Sequence, residues 1–177
     1  MRLLRIGLDI DDTICSFMRP YLERFGKPKE DREITRNVHR ILVKDRDFWL
    51  RLPVINRPSF DPTLYCTKRI HPKAWTREFL AINELPIAPI YQVYSQAASK
   101  APHIKGRVDV FVDDSVSNFI DLNLRGVPCL LIDGEHNQNW GPIARIYSLD
   151  KEEIEECYHL FMRTLFPHFK ELVNDYR

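Results

Sequence analysis

The chain has 177 residues, and its 26 basic and 25 acidic side chains leave a formal net charge of +1. This length fits one domain with a normal hydrophobic core and room for a small insertion. A net charge near zero excludes an overall field that would recruit nucleic acid or an anionic membrane surface. The four cysteines form no Cys-x-x-Cys pair, and no long apolar run occurs, so we expect buried free thiols and a soluble, cytoplasmic protein.

Short apolar runs alternate with helical patterns along most of the chain. Five of these runs, rich in branched or aromatic side chains, predict buried strands: Leu3–Leu8, Thr63–Cys66, Pro89–Tyr94, Val108–Val112 and Pro128–Ile132. Helical patterns cover His71–Leu85 and Val116–Leu124, and Gly126 lies where a C-cap glycine belongs. Asp150 and Glu153 form a capping-box pattern before a C-terminal helix. The alternation predicts an α/β fold, a Rossmann-like three-layer sandwich whose parallel sheet is covered on both faces.

Residues 16–60 break this alternation. They contain no convincing strand, and their two helical patterns, separated near Gly26–Glu30, precede the aromatic segment Asp47–Pro53. We interpret them as a small helical cap inserted after the first strand, which leaves residues 1–15 and 61–177 as the core. A plain crossover connection is the alternative, although the segment is longer than a crossover requires.

The first predicted strand ends in the sequence Asp9-Ile10-Asp11-Asp12-Thr13. Side chains alternate along a strand, so Asp9 and Asp11 point the same way, about 7 Å apart, whereas Asp12 turns away and is expected in a cap or turn. Two carboxylates on one face repel each other. The pair therefore predicts a bound divalent cation or a strongly raised pKa.

Polar residues also follow the next three predicted strands. Thr67 ends the second strand, Lys100 follows the third, and Asp113 and Asp114 end the fourth. Because the carboxyl ends of parallel strands meet at one edge of the sheet, these residues predict a single pocket. Carboxylates with no His or Cys nearby favour Mg²⁺, and a hydroxyl and an ammonium beside them suit a phosphoryl group. One carboxylate can then attack phosphorus to form an aspartyl phosphate, while another moves protons.

These motifs resemble the haloacid dehalogenase superfamily, whose phosphatases carry Asp-x-Asp-x-Thr, a Ser or Thr, a Lys and paired acids in that order. The resemblance covers residues 3–133 and implies a magnesium-dependent phosphomonoester hydrolase. It implies that Asp9 is the nucleophile and a metal ligand. Asp11 would be the general acid/base and also a metal ligand, through its backbone carbonyl. It further implies that Thr67 and Lys100 bind the substrate phosphate.

The final motif, Phe111-Val112-Asp113-Asp114-Ser115, completes the resemblance. It implies that Asp114 binds the metal directly and that Asp113 supports it. Asn118 lies where many relatives have another acid, so its role stays open. Lys105 is the alternative to Lys100, which we favour because it directly follows the third strand.

The aromatic part of the insertion, Phe48–Leu50 with Leu52–Pro53, is similar to the small 5'-nucleotidase and deoxyribonucleotidase branch. This similarity favours a nucleoside monophosphate as substrate. Trp49 can stack on a nucleobase or belong to an aromatic core of the cap, and both interpretations stay open.

The sequence leaves several alternatives open for residue roles, substrate and protein class. Lys68 and Arg69 can reach a phosphate or be solvated, and His136–Gly141 is interpreted as an ordinary polar loop, with substrate contact as the alternative. The substrate can instead be another phosphorylated metabolite or a nucleic-acid end, and the chain can be a catalytically silent binding protein. A phosphoacceptor receiver domain is disfavoured, because no lone strand-end Asp lies between Thr67 and Lys100. We expect no membrane partner, and no oligomeric state is predicted.

Overall fold

A parallel six-stranded sheet forms the centre of the protein, whose computed structural model describes residues 3–174. Its strands are β1 Ile6–Leu8, β2 Leu64–Thr67, β3 Ile90–Gln92, β4 Val110–Asp113, β5 Cys129–Ile132 and β6 Arg145–Ile146. They lie in the order β3-β2-β1-β4-β5-β6, and every neighbouring pair is parallel. With helices flanking this sheet, the predicted α/β fold is confirmed. The sixth strand was not predicted, because two residues are too few to show a period of two.

Eight α-helices accompany the sheet within the described part of the chain. They are α1 Met18–Phe25, α2 Asp31–Arg40, α3 Arg46–Leu50, α4 Lys73–Ile82, α5 Ala101–Ile104, α6 Val116–Leu124, α7 Lys151–Thr164 and α8 Phe169–Asn174. The bounds predicted for α6 are confirmed, and Gly126 after it has a φ of 75°. Between residues 3 and 174, no helix has both the length and the apolar character required to cross a bilayer.

The start of α7 differs from its predicted capping box. The Asp150 carboxylate accepts hydrogen bonds from the backbone N–H groups of Glu152 and Glu153, as a cap should. The Glu153 carboxylate does not return to the cap residue; it accepts from the N–H groups of Tyr147 and Ser148. The backbone N–H of Asp150 donates instead to the Ser148 hydroxyl. Only half of the capping box is formed, because the chain before α7 turns back onto the helix.

Residues 16–60 contribute α1, α2 and α3 between β1 and β2 and add no strand to the sheet. Their buried side chains belong to the same hydrophobic cluster as the sheet: Tyr21, Val38, Leu42, Trp49 and Leu52. Helix α3 also packs against α4. The segment therefore shares the core of the protein and lies near the edge where β1 ends.

The four cysteines at positions 15, 66, 129 and 157 are free thiols, and the first three are buried. This confirms the expectation of unpaired thiols for each of them.

Gly7 allows β1 to pack closely against β4 and the residues just before β4. A Cβ atom at this position would lie 2.8 Å from Cδ2 of Phe111 and 2.9 Å from Cγ1 of Val108. We expect Gly7→Ala to lower the free energy of unfolding by roughly 1–3 kcal/mol, the cost of overpacking a core. Urea unfolding measures this change, and an unchanged midpoint would mean that the neighbouring strand yields to the extra methyl group.

The order of the strands fixes where a ligand can bind. The chain leaves β1 on the side of β2 and β3 and later returns to place β4 on the other side of β1. Such a reversal opens a crevice at the carboxyl ends of the two central strands. The acidic residues after β1 and β4 therefore lie at the mouth of this crevice.

Candidate active site

Three buried carboxylates meet at the ends of β1 and β4. One oxygen from each of Asp9, Asp113 and Asp114 lies within 4.8 Å of the others. A cluster of this kind can bind a metal ion, and an all-oxygen ligand set suits a hard cation. The side chain of Asp11 is not a member of this cluster.

The charge of Asp9 is poorly compensated by the protein alone. Burial raises the pKa of Asp9 well above its ordinary value; Lys100 opposes this effect, while Asp113 and Asp114 add to it. Oδ1 of Asp9 lies 2.9 Å from Nζ of Lys100 but accepts no well-aligned hydrogen bond. A buried carboxylate oxygen in this state fits a position that coordinates a cation.

Lys100 is the lysine of the site. Its side chain is 1% exposed, and its Nζ lies 2.8 Å from Oδ2 of Asp113 and 2.9 Å from Oδ1 of Asp9. Burial alone would lower the pKa of Lys100, but Asp113 and Asp9 outweigh burial and raise it. Lys105 is exposed and donates to the backbone carbonyl of Arg125 instead. The structure therefore brings Lys100, and not Lys105, to the carboxylates.

The paired acids have different surroundings. Asp113 is saturated with donors: Lys100, the N–H of Ser115 at 3.0 Å, and Nδ2 of Asn118 at 3.1 and 3.2 Å. Asp114 lines the open cavity. Asp114 is thus the acid of the pair that faces the cavity, and Asp113 lies behind it. Asn118, whose role was open, orients Asp113.

Asp11 is held by Arg69, for which the sequence offered a phosphate contact or solvation but not this ion pair. Arg69 is fully buried, and its Nε and Nη2 lie 2.9 and 2.7 Å from the two carboxylate oxygens of Asp11. Burial would raise the pKa of Asp11, but the guanidinium outweighs it and the pKa is lowered. Oγ1 of Thr67 donates to the same carboxylate at 3.3 Å. No local pattern distinguishes Arg69 from a solvated arginine, because it lies two residues beyond the end of β2 and its burial depends on the fold.

Asp12 takes the capping role expected of it. Its Oδ1 accepts from the backbone N–H groups of Phe17 at 2.9 Å and Met18 at 3.1 Å, at the start of α1. Its φ of 54° is left-handed, which turns the chain out of the strand. Burial, together with the nearby charge of Asp114, raises the pKa of Asp12 to about 6.

Trp49 belongs to the core between the insertion and α4. Phe17 stacks on it with ring centroids 5.6 Å apart, and the Arg69 guanidinium carbon lies 5.2 Å from its ring centroid. Its Nε1 donates to the backbone carbonyl of Leu42 at 2.7 Å, and only 2% of the residue is exposed. No ring face is left for a nucleobase, so Trp49 is a packing residue and not a stacking platform.

His71 packs beside Trp49 as a neutral side chain. Its ring centroid lies 4.4 Å from that of Trp49, and its Nδ1 lies 3.0 Å from the carbonyl oxygen of Pro72. Burial, with help from the Arg69 charge, lowers the pKa of His71 to about 4.

This shift predicts that His71 makes the protein sensitive to acid. The unfolded chain binds a proton near pH 6.5 and the folded chain only near pH 4, so stability is lost as the pH falls between these values. The loss attributable to His71 is roughly 3 kcal/mol. Asp12, whose pKa is raised to about 6, titrates in the same window with the opposite effect on stability and is present in both proteins. We therefore expect the difference in free energy of unfolding between wild type and His71→Phe to change by this amount across the window, and the exposed His159→Gln to follow wild type. Parallel curves for wild type and His71→Phe would contradict the prediction.

A cavity of about 340 Å³ covers the carboxylates. Its floor contains the predicted site residues Asp9, Asp11, Thr67, Lys100 and Asp114, while Asp113 lies behind them. The insertion supplies the opposite wall: Phe17, Ile34, Thr35, Val38, His39 and Trp49. Residues from the strand ends and from the insertion therefore line one cavity.

The segment after β5 is not an ordinary polar loop. Residues Glu135–Trp140 form a 3₁₀ helix, and Nε2 of His136 lies 2.8 Å from Oδ2 of Asp114. Nδ2 of Asn137 donates to the backbone carbonyls of Asp114 and Ile132, each at 2.8 Å. This segment thus supports Asp114 and corrects the prediction. Nothing in its local pattern marked the contact, which depends on β5 lying next to β4.

No family model matches the chain, and no curated protein or solved structure matches it.

Proposed function

We propose that the protein is a magnesium-dependent phosphomonoester hydrolase of the haloacid dehalogenase type that acts through an aspartyl phosphate. One observation carries the proposal: Asp9, Asp114 and the ammonium of Lys100 share the floor of a cavity at the ends of the two central strands, and the buried carboxylate of Asp113 lies directly behind them. The order of the motifs in the chain supports the same reading.

The residues present fit a magnesium ion. Asp9 has a buried oxygen without an aligned donor, and Asp114 faces the cavity, so these two side chains, with the backbone carbonyl of Asp11, would hold the ion. When bound, Mg²⁺ neutralises negative charge on the phosphoryl oxygens and on the carboxylates. Asp113 holds Lys100 in place beside Asp9.

The chemistry divides between two carboxylates. In the first step an oxygen of Asp9 forms a bond to phosphorus, the ester P–O bond breaks, and Asp11 donates a proton to the departing oxygen. In the second step Asp11 takes a proton from water, whose oxygen attacks phosphorus and releases Asp9 and inorganic phosphate. Arg69 stabilises the ionised form of Asp11, which is the form required for the second step. The first step requires that substrate binding weaken this ion pair.

The leaving group faces the insertion. The wall opposite the carboxylates is apolar at Phe17, Ile34 and Val38. Thr35 and His39 line the same cavity from α2, the helix that also carries Ile34 and Val38. A nucleoside monophosphate fits a wall of this mixed character, although Trp49 does not stack on its base. Buried free thiols fit a reducing compartment, and we place the activity in the cytoplasm.

Phosphate release from a panel of esters tests the proposal. Nucleoside monophosphates, sugar phosphates and 5'-phosphorylated oligonucleotides are each incubated with Mg²⁺ or with EDTA. We expect turnover that requires Mg²⁺ and is fastest on a small ester. Absence of turnover on every ester, with binding of one of them retained, would instead identify a catalytically silent binding protein.

A further inference from the structure

A second cavity opens beside the first. It has a volume of about 200 Å³ and shares Lys68, Gln96, Ser117 and Asn118 with the cavity above the carboxylates. Away from this shared boundary it is lined by small or charged residues, namely Ala97, Ala98, Ser99, Asp121 and Arg125. No aromatic side chain lines it, in contrast to the wall formed by the insertion.

Lys68 lies at the boundary between the two cavities. It directly follows Thr67, is half-buried, and donates from Nζ to the backbone carbonyl of Gln96 at 2.9 Å. Nε2 of Gln96 donates back to the carbonyl of Lys68 at 3.0 Å, which fixes the two segments together. Within residues 3–174, Lys68 takes part in no ion pair. An ammonium whose partner is a single carbonyl can bind an anion without first breaking a salt bridge.

The other charges of the second cavity are already paired. Nε of Arg125 lies 2.7 Å from Oδ1 of Asp121, and the Ser99 hydroxyl also donates to that carboxylate. Arg125 forms the direct ion pair with Asp121, and Lys68 interacts with Asp121 only at longer range. The second cavity is therefore lined by two cationic side chains and one carboxylate. The exposed hydroxyl of Ser117, 2.9 Å from that of Ser115, adds a donor at the shared boundary.

We propose that the second cavity binds a second phosphate group of the substrate and that Lys68 is the residue that selects for it. This inference rests on the proposed function, since the first phosphate must lie over Asp9 for the second to reach Lys68. The preferred substrate is then a small phosphomonoester that carries another phosphate. A free bisphosphorylated metabolite and a 5'-phosphorylated oligonucleotide share this chemistry.

Matched pairs of substrates test the selectivity. Adenosine 3',5'-bisphosphate is compared with adenosine 5'-monophosphate. A 5'-phosphorylated dinucleotide, whose second phosphate is a diester, distinguishes an oligonucleotide substrate from a free bisphosphorylated metabolite. We expect wild type to favour the bisphosphate in kcat/KM, and Lys68→Gln to lower the ratio of bisphosphate to monophosphate roughly tenfold, the size of one charge-assisted contact. The control is Lys105→Gln, because Lys105 also donates to a backbone carbonyl, that of Arg125, but lines neither cavity. It should keep the ratio.

A binding measurement separates this inference from the proposed function. Calorimetric titration of adenosine 3',5'-bisphosphate into Asp9→Asn, with and without Lys68→Gln, requires no turnover. Binding that weakens about tenfold with Lys68→Gln supports the anion site even if no ester is hydrolysed. Hydrolysis of both adenosine substrates at a ratio that Lys68→Gln does not change overturns the inference and leaves the phosphatase proposal standing. Loss of both turnover and Lys68-dependent binding overturns both.

Discussion

Asp9→Asn is expected to lower kcat for phosphate release by at least ~10³-fold. An amide oxygen is a poor nucleophile, so the bond from residue 9 to phosphorus does not form. Asn also removes one of the two negative charges that pair with Lys100 and weakens the cation site. Initial rates with saturating Mg²⁺, on the best ester of the panel, measure the effect.

The same variant should fold at least as well as wild type. Asn has the shape of Asp, and the substitution removes one of three like charges that burial already penalises. We therefore expect an equal or higher free energy of unfolding in EDTA, which distinguishes lost chemistry from lost structure. Asp109→Asn serves as a matched control, because Asp109 pairs with Arg5 at the opposite ends of β4 and β1. It should keep its turnover. If Asp9→Asn kept more than a tenth of wild-type activity, Asp9 would not be the nucleophile.

Features that repeat locally could be predicted from the sequence. The alternation of apolar runs with helical stripes specified the parallel sheet, because each run is short and each helix has one apolar face. Residues at strand ends converge in any such sheet, so Asp9, Thr67, Lys100 and Asp114 could be brought together without coordinates. The choice between Lys100 and Lys105 also followed from position, since Lys100 is closer to the end of β3.

Features that depend on distant contacts could not be predicted. Arg69 resembles any solvated arginine until the fold buries it against Asp11 and Trp49. His136 has no local sign of its contact with Asp114, which exists only because β5 adjoins β4. Trp49 showed the same ambiguity, since an aromatic residue suits a core and a stacking surface equally well, and only its packing decides between them.

Lys100→Met is expected to cause the largest loss of stability. The substitution keeps an apolar stem of similar length but leaves the buried carboxylates of Asp9 and Asp113 without their shared ammonium. Removing one partner of a buried ion pair costs roughly 3–5 kcal/mol, because the remaining charge stays desolvated. Urea unfolding in EDTA measures the loss. Lys105→Met, which removes an exposed lysine, should change stability by less than about 0.5 kcal/mol.

Two ways of restoring charge balance should recover part of this loss. Adding Asp113→Asn to Lys100→Met removes one of the two uncompensated carboxylates, so the double variant should be more stable than Lys100→Met alone. A divalent cation at the same carboxylates should also stabilise the variant, by about 2.7 kcal/mol when Mg²⁺ is present at 100 times its dissociation constant. Recovery by both routes would show that the ammonium and the cation balance the same cluster of charge. A loss below about 1 kcal/mol in EDTA would mean instead that the cluster needs no fixed cation to fold.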